Sequence, residues 1–185
     1  MKSEKEKMLA GELYDSSDPG LVKERLLARE HCFRLNSLSP EKLEIERQYI
    51  TEQLLGKRTD VFITPPFQCD YGKNISVGTN VYFNFNCIVL DVAKVTIGSN
   101  VLFGSGVQIL TATHPTNAIE RGKGLEIGMC IEIGDDVWVG SGAVLCPGVK
   151  VGDGAVIGAG SIVTRDIPAG TISAGNPCRV IRKLA

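Results

Sequence analysis

The chain contains only two histidines, and they stand in different sequence surroundings. His114 lies in the short motif TATHP, at the point where a regular repeat breaks into a loop. An imidazole titrates near neutral pH, so a histidine at such a point is a candidate general base. The alternative is a local role, in which the ring is hydrogen-bonded and shapes the loop. His31 lies beside Arg29 and Glu30 and is interpreted as an ordinary residue of the surface or of the N-terminal segment.

Basic residues near the end of the chain are candidates for binding phosphate groups. Arg165, Arg179 and Arg182 have the charge and the bidentate geometry that phosphates favour. Ala159, which lies between two glycines, leaves room for a thin ligand arm beside it. The alternative is that the arginines are solvated residues of a C-terminal tail.

The fold that must position these residues is indicated by a six-residue repeat. Large apolar residues recur at every sixth position within residues 77–89, 97–109 and 133–163, usually with a smaller apolar residue two positions earlier. Residues two apart point the same way from a strand, and such a unit buries its apolar face only by stacking on the next unit. The repeat predicts four complete coils of eighteen residues, each with three short strands and three corners.

Glycine and cysteine positions refine this prediction. Glycine follows the large residue in most units, as at Gly98 and Gly140, which predicts corners with backbone angles that other residues resist. Cys69 and Cys87 are eighteen residues apart and are therefore expected to stack one coil apart as small buried residues. The six cysteines include no Cys-x-x-Cys pair and are consistent with reduced thiols.

The repeat divides the chain into three predicted parts. Residues 1–56 do not follow it and carry helix-start patterns, so they predict a helical cap over the open end of the coils. Residues 57–167 form the predicted β-helix, from which residues 111–130 leave as a loop and return in phase. Residues 168–185 are predicted to be a basic C-terminal tail.

Composition argues against several classes of partner. The formal net charge of −1 gives no reason to expect a nucleic acid or a membrane surface. The longest apolar runs are too short to span a bilayer, and the first residues (MKSEKEKML) lack the apolar stretch of a signal peptide. We therefore expect a cytoplasmic protein that binds no nucleic acid and no membrane.

Several motifs resemble those of the maltose/galactoside O-acetyltransferase family over nearly the whole chain. They are EKEKMLAGELY, CDYGKNI, NFNC with the following Leu90-Asp91, TATHP, VWVGSGAVLCPGV, IGAGSIVTRDIP and AGNPCRVIR. The resemblance implies a mainly β fold, a left-handed parallel β-helix (hexapeptide-repeat solenoid) with an N-terminal helical cap. It also implies acetyl transfer from acetyl-CoA to a small sugar acceptor, without a metal, in a homotrimer whose active sites lie between neighbouring subunits.

The resemblance assigns roles to residues of the acceptor site. His114 matches the catalytic base, which takes the proton of the hydroxyl as its oxygen attacks the thioester, without an acyl-enzyme. Asn84 matches a residue that orients the acceptor or the oxyanion, and Asp70 and Arg25 match positions that contact the sugar. Glu126 lies in the loop, where it could bind hydroxyls or orient His114; the alternative is a solvated loop charge.

The resemblance also places the coenzyme. Six positions match the coenzyme A site of the family: Ser141, Ala159, Thr164, Arg165, Arg179 and Arg182. The backbone amide of Ser141 would lie near the thioester. Val92 and Ser16 stand where the galactoside enzymes carry acidic residues, which favours a glucosyl acceptor, as in the maltose branch.

Three other interpretations compete with this one. A zinc carbonic anhydrase on such a fold needs three histidine ligands, and only His114 lies in the coils. A non-catalytic β-helix binding module would need neither a histidine-bearing loop nor a basic tail. A CoA-dependent acyltransferase for serine, an antibiotic or an amino sugar usually carries other N-terminal elements than this helical cap.

Overall fold

The computed structural model describes residues 1–184 and is a three-sided β-helix with helices at its N-terminal end. Its parallel strands form three sheets, one on each face of a prism, and the coil passes around about six times. The predicted mainly β solenoid with a helical cap is confirmed. Within the described residues, no helix has both the length and the apolar character needed to cross a membrane.

The elements are numbered in chain order. The helices are α1 (Glu4–Leu9), α2 (Pro19–Asn36), α3 (Pro40–Leu55) and α4 (Ala118–Arg121). The first face contains β4 (Ile75–Val77), β7 (Val95–Ile97), β12 (Ile131–Ile133) and β15 (Lys150–Val151). The second face contains β2 (Phe62–Ile63), β5 (Tyr82–Phe83), β8 (Leu102–Phe103), β13 (Trp138–Val139), β16 (Val156–Ile157), β18 (Thr171–Ala174) and β19 (Arg179–Lys183).

The remaining strands form the third face and one small sheet beside it. The third face contains β3 (Phe67–Cys69), β6 (Cys87–Leu90), β9 (Gln108–Leu110), β14 (Val144–Leu145) and β17 (Ile162–Val163). The small antiparallel sheet contains β1 (Tyr14–Asp15), β11 (Leu125–Gly128) and β10 (Ala112–Thr113). It therefore joins the N-terminal cap to the loop that leaves the coils.

The length of a coil changes along the chain. In the early coils the paired residues are twenty positions apart, as for Tyr82 and Leu102. In the coils after the loop they are eighteen positions apart, as for Trp138 and Val156, and in the last coil sixteen, as for Val156 and Ile172. The predicted eighteen-residue coil is therefore right only for the coils within residues 131–163.

Because the early coils have twenty residues, two cysteines eighteen positions apart do not stack as predicted. Cys69 pairs with Val89, and Cys87 pairs with Phe67, so the predicted stacking of Cys69 on Cys87 is wrong. Both thiols are buried, as expected. The Sγ atom of Cys69 instead lies 3.8 Å from Sγ of Cys32 in α2.

Large apolar side chains fill the prism. Phe67, Phe83 and Phe103 are at most 2% exposed and form a column through the first coils. The rings of Phe83 and Phe103 are stacked with centroids 4.4 Å apart, and Phe67 meets Phe83 edge-on at 5.5 Å. Burial of one such side chain stabilises the fold by roughly 2–3 kcal/mol. In the later coils the core is aliphatic, with residues such as Val139 and Leu145.

The repeat glycines are needed for space rather than for unusual backbone angles. Gly98 and Gly140 do not have positive φ, but a Cβ would lie 2.3 Å from a side-chain oxygen of the next coil at Gly98 and 2.6 Å from the amide nitrogen of Ala159 at Gly140. Positive φ occurs two residues later, as at Asn100 (58°) and Gly142 (69°). The expectation that the repeat glycine supplies a special backbone conformation is wrong; it lets the corners of successive coils stack.

The helical cap closes the N-terminal end of the β-helix. Asp18 is the N-cap of α2 and its side chain accepts hydrogen bonds from two amides of the first turn, and Gly56, with φ of 68°, is the C-cap of α3. Asn36 of α2 bonds both backbone groups of Phe67, since its Nδ2 donates to the carbonyl and its Oδ1 accepts from the amide, each at 2.9 Å. The cap thereby pairs edge groups of the first third-face strand.

The segment expected to be a basic tail contains two strands. β18 extends the second face parallel to β16, and β19 turns back antiparallel to β18. Arg179 and Arg182 therefore lie on the last strand of this face, and both are exposed.

The close stacking of corners predicts the effect of one methyl group. A Cβ at Gly78 would lie 2.5 Å from Oγ of Ser99 and 2.7 Å from backbone atoms of the next coil. We expect Gly78→Ala to lower the free energy of unfolding by about 1–3 kcal/mol through overpacking. Gly122→Ala is the control, because Gly122 has φ of −61° and its Cβ would approach no atom closer than 3.3 Å. Urea unfolding measures both, and wild-type stability of Gly78→Ala would contradict the packing argument.

Candidate active site

The residues that lengthen a coil beyond the regular six-residue repeat all lie at one edge of the prism, between the third and first faces. We call this edge the insertion corner and define it by residues 70–74, 91–94 and 111–130. The spacing of the inward-facing residues shows where the extra residues are inserted, since it rises from six to eight after Cys69 and after Val89, and to twenty-four after Ile109. Because the three insertions stack, they place side chains of three coils at one site.

Two buried polar side chains brace the insertion corner. Oδ1 of Asp91 accepts hydrogen bonds from the backbone amides of Asp70 at 3.0 Å and Tyr71 at 2.9 Å. Oγ1 of Thr111 accepts from the amide of Ala93 at 2.9 Å and donates to a carbonyl of the earlier coil at 2.6 Å. Asp91 and Thr111 are both fully buried. These bonds pair backbone groups where the extra residues interrupt the regular ladder.

His114 follows directly after β10 and is exposed. Its Nδ1 lies 3.2 Å from the backbone carbonyl oxygen of Leu125 in β11. A carbonyl oxygen can only accept, so in the neutral ring Nδ1 carries the proton. The lone pair is then on Nε2, which is the arrangement a general base requires.

A strand of the cap holds the loop strand that orients His114. β1 pairs with β11, with Tyr14 opposite Glu126 and Asp15 opposite Leu125. The hydroxyl of Tyr14 is buried and donates to Oε2 of Glu126 at 2.7 Å. Burial, together with the hydrogen bond and the charge of Glu126, raises the pKa of Tyr14 far above its usual value. The phenol therefore remains a donor at any physiological pH.

The orientation of His114 comes from the backbone beside Glu126. The carboxylate of Glu126 bonds Tyr14, whereas the carbonyl of the preceding residue, Leu125, contacts the imidazole. Sequence reasoning did not identify Tyr14 or Leu125. A backbone carbonyl has no sequence signature, and Tyr14 is 112 residues away from its partner.

Three predicted acceptor-binding residues, Arg25, Asp70 and Glu126, share one electrostatic neighbourhood. Burial raises the pKa of Asp70, the charge of Arg25 opposes this rise, and Glu126 adds to it. Nη1 of Arg25 donates to the hydroxyl of Tyr71 at 2.8 Å, and Nη2 donates to the carbonyl of Ser16 at 2.6 Å. The guanidinium is thus fixed between the cap and the insertion corner, beside the carboxylates.

Asn84, Ser141 and Ala159 form a column at a different edge, between the second and third faces, which we call the second corner. They follow β5, β13 and β16, respectively. Ser141 is exposed, and within residues 1–184 its backbone N–H has no hydrogen-bond acceptor. Oδ1 of Asn84 accepts from the amide of Phe85 at 2.8 Å, a bond that does not use the donor Nδ2.

The remaining predicted coenzyme residues lie in the last coils. Thr164 and Arg165 follow β17, on the same edge as His114 and two coils further, which corresponds to roughly 10 Å along the axis. Arg179 and Arg182 lie in β19, and all four side chains are exposed. Within residues 1–184 no group of three or more His, Cys, Asp or Glu side chains could hold a metal ion.

The two columns do not meet within one chain. Asn84 precedes β6 at the second corner, and Asp91 follows β6 at the insertion corner. The four extended residues of β6 lie between them and span roughly 13 Å, which is the approximate separation of the two edges. The structure therefore places His114, Asp70 and Glu126 at the insertion corner, to which Arg25 of the cap is bonded through Tyr71, and leaves Asn84 and the Ser141 column at the other edge.

Two protein-family descriptions match the chain. The maltose acetyltransferase hexapeptide capping motif matches residues 7–58, which include α2 and α3 of the cap. The bacterial transferase hexapeptide description, with six repeats, matches residues 131–165 in the later coils.

Relatives and solved structures match nearly the whole chain. Nodulation protein L of Rhizobium meliloti (strain 1021) is 48% identical over 179 residues, which cover 97% of this chain and 98% of that protein. The crystal structure of a maltose O-acetyltransferase from Clostridium difficile 630 has a TM-score of 0.97 and 45% identity, covering 100% of this chain and 98% of its own. A hexapeptide-repeat acetyltransferase from Vibrio cholerae, complexed with acetyl coenzyme A, has a TM-score of 0.90 and 35% identity with complete coverage of both chains.

The pairing of β1 with β11 predicts a local effect of Tyr14→Phe. The change removes the donor to a partly buried carboxylate, and hydrogen bonds to charged groups contribute about 1.5–3 kcal/mol. We expect amide hydrogen exchange in residues 112–128 to become about tenfold faster or more, without change in residues 131–163. Mass spectrometry measures the exchange, and Tyr49→Phe on the exposed side of α3 is the control. Unaltered exchange in the loop would show that Tyr14 does not hold it.

Proposed function

The chain belongs to the hexapeptide-repeat acetyltransferases that carry the maltose acetyltransferase capping motif, and we propose that it transfers an acetyl group from acetyl-CoA to a hydroxyl of a maltose- or glucose-type sugar. The observation that carries the proposal is the exposed imidazole of His114, whose Nδ1 is held by a carbonyl so that Nε2 has the lone pair. One similar structure is a maltose O-acetyltransferase, and another is bound to acetyl coenzyme A.

In the proposed reaction His114 acts as general base. Nε2 takes the proton of the sugar hydroxyl while the hydroxyl oxygen attacks the thioester carbonyl carbon, and the carbonyl π electrons move onto its oxygen. The tetrahedral intermediate then collapses, the C–S bond breaks, and the imidazolium returns the proton to the leaving thiolate. The products are the acetylated sugar and free coenzyme A, without an acyl-enzyme. A positioned base contributes about 10²–10⁴-fold to such a step.

The second corner suits the thioester. Negative charge develops on the carbonyl oxygen and requires a hydrogen-bond donor fixed in advance. The exposed N–H of Ser141, which has no acceptor within residues 1–184, is one candidate. Nδ2 of Asn84, in the same column, is a second. The small side chain of Ala159 leaves space for the pantetheine arm along this edge.

The last coils suit the phosphate groups of coenzyme A. Arg165, Arg179 and Arg182 are exposed and form no salt bridge with another residue of the described chain. Guanidinium groups bind phosphates in a bidentate manner. The hydroxyl of Thr164, next to Arg165, adds a further donor.

The acceptor sugar is proposed to bind between the cap and the insertion corner. Asp70 and Glu126 supply carboxylate oxygens for sugar hydroxyls, and Arg25 supplies a fixed guanidinium beside them. Val92, at the position where galactoside enzymes carry an acid, is buried in the apolar cluster with Tyr14. It supplies no carboxylate to this site, which supports the assignment of a glucosyl acceptor.

We propose that complete active sites form between the subunits of a homotrimer. Since roughly 13 Å separates the two columns of one chain, His114 of one subunit needs the second corner of a neighbour. The second face carries a row of exposed apolar residues in register, namely Phe62, Leu102 and Trp138, which are 40–55% exposed. The first face is polar on its outer side, as at Glu132. The apolar row therefore suits a subunit contact.

The assignment of the base predicts the effect of His114→Ala. We expect kcat to fall at least about a hundredfold because the hydroxyl keeps its proton, while the Kd for coenzyme A is unchanged. The measurement is thiol release from acetyl-CoA in the presence of maltose, glucose, galactosides, serine or chloramphenicol. His31→Ala in the cap is the matched control and is expected to retain wild-type turnover within about twofold.

Two outcomes of that assay would overturn parts of the proposal. Full turnover by His114→Ala would remove the proposed base. Turnover with serine or chloramphenicol, but with none of the sugars, would leave a CoA-dependent acyltransferase and replace the acceptor class.

An active site shared between subunits predicts complementation. His114→Ala and Asn84→Ala trimers should each lose most activity, because each change affects all three sites. Trimers that contain both chains, isolated with two different affinity tags, should regain about one third of wild-type activity, since one of three sites then has both residues. Trimers mixed from His114→Ala chains and chains with both changes are the control and should stay inactive. Mixed trimers as inactive as their parents would place both residues in a site within one chain.

A further inference from the structure

The carboxyl group of Asp91 is buried at the centre of the insertion corner, and the proposed mechanism does not use it. Asp91 is fully buried, and it follows β6 at the second of the three stacked insertions. The coil before it carries Asp70, and the coil after it leads to the loop with His114.

The hydrogen bonds of the Asp91 side chain are made to residues of the proposed acceptor site. Oδ1 accepts from the amides of Asp70 and Tyr71, and the backbone carbonyl of Asp91 accepts from Nδ2 of Asn74 at 2.7 Å. Tyr71 in turn receives the hydrogen bond from Arg25. The side chain thus fixes the backbone of two residues whose side chains lie at the proposed acceptor site.

The other half of the carboxyl group is unpaired. Within residues 1–184, Oδ2 of Asp91 is buried without any hydrogen-bond partner, and no cationic side chain forms a salt bridge with it. The titratable groups that face it are the carboxyl of Asp70 and the thiols of Cys32 and Cys69. None of these groups compensates a negative charge.

In this arrangement the ionised form of Asp91 destabilises the folded protein. Burial raises its pKa to about 7, the amide of Tyr71 opposes the rise, and the charge of Asp70 adds to it. Because the pKa in the folded protein lies above the ordinary value of 3.8, the stabilisation that protonation gives is complete below about pH 4 and is lost as the pH rises through about 7. If the side chain at this position only filled space, the protein would be more stable with an uncharged residue there.

We propose that Asp91 is a positioning residue for the acceptor: its carboxylate fixes the backbone of Asp70 and Tyr71, and through Tyr71 the guanidinium of Arg25, in the geometry that binds the sugar. This inference rests on the proposed sugar acetyltransferase activity. A charged acceptor makes hydrogen bonds about twice as strong as a neutral one, so the ionised form holds the two amides best. The backbone of the insertion corner is therefore held more rigidly when Asp91 is ionised than when it is protonated.

Asp91→Asn tests this role because it preserves shape and removes the charge. With maltose as acceptor, we expect its KM for maltose to rise about fivefold or more at pH 8, while its KM for acetyl-CoA stays within about twofold. The melting temperature at pH 8 should be equal to or above that of the wild type, because a buried unpaired charge is removed. Asp135→Asn is the matched control: Asp135 also accepts from a backbone amide, that of Ser99, but it is exposed and lies at another corner.

Specific results would overturn the role. An unchanged KM for maltose in Asp91→Asn would show that the charge does not position the acceptor site. A joint rise of both KM values with a lower melting temperature would show that Asp91 only supports the fold. In the wild type, KM for maltose should decrease as the pH rises from 6 to 8, and this trend should be absent in Asp91→Asn.

A second measurement separates this inference from the proposed function. If the wild-type protein acetylates no sugar, the function is wrong, but amide hydrogen exchange still reports on the corner. After correction for intrinsic base catalysis, exchange at Asp70 and Tyr71 should slow between pH 6 and pH 8 in the wild type. In Asp91→Asn it should be faster at pH 8 and free of this trend. Equal exchange in the two proteins would refute the positioning role whatever the acceptor is.

Discussion

The fixed register between stacked coils is the constraint on which the rest of this structure depends. Each strand bonds the coil beside it through pairs such as the amide of Leu102 and the carbonyl of Val137, at 2.9 Å. An insertion within a strand would shift this register and turn inward side chains outward. Extra residues are therefore tolerated only at corners, and all of them here lie at the same corner. That is why the loop with His114 leaves the prism beside Asp70 and not on another edge.

This constraint gives the two sides of the proposed active site different origins. The residues proposed for the sugar, Arg25, Asp70 and Glu126, come from the cap and from the insertions. Those proposed for the thioester arm, such as Ser141 and Ala159, lie on the regular six-residue repeat, where glycines keep the corners close. A change in an insertion can therefore alter the acceptor side without a change in the coils that would carry the coenzyme. Relatives that share the coils can then differ in acceptor.

How much of the structure the sequence predicted differs between the regular repeat and the insertions with the cap. The repeat predicted the strands, the three faces and the buried positions because it is local and periodic. The spacing after Val89 also indicated the wider coils. The prediction of eighteen residues for every coil did not take this difference into account, and the predicted stacking of Cys69 on Cys87 was therefore wrong. The bond from Tyr14 to Glu126 could not be predicted, because it joins residues 112 positions apart through an irregular loop. The role of the repeat glycines was misjudged because a sequence does not show how closely two corners approach.

Coil length and core size are matched, and this links the acceptor corner to the interior. A twenty-residue coil encloses a wider cross-section than an eighteen-residue coil and needs larger side chains to fill it. On the second face the inward positions are Ile63, Phe83 and Phe103 in the wide coils, where Phe67 of the third face is also buried, and Val139 and Ile157 where the coil has narrowed. Removing the two extra residues of a corner would therefore leave phenylalanines too large for their coil. We therefore expect a change in the residues that widen the insertion corner to require a change in the phenylalanine column.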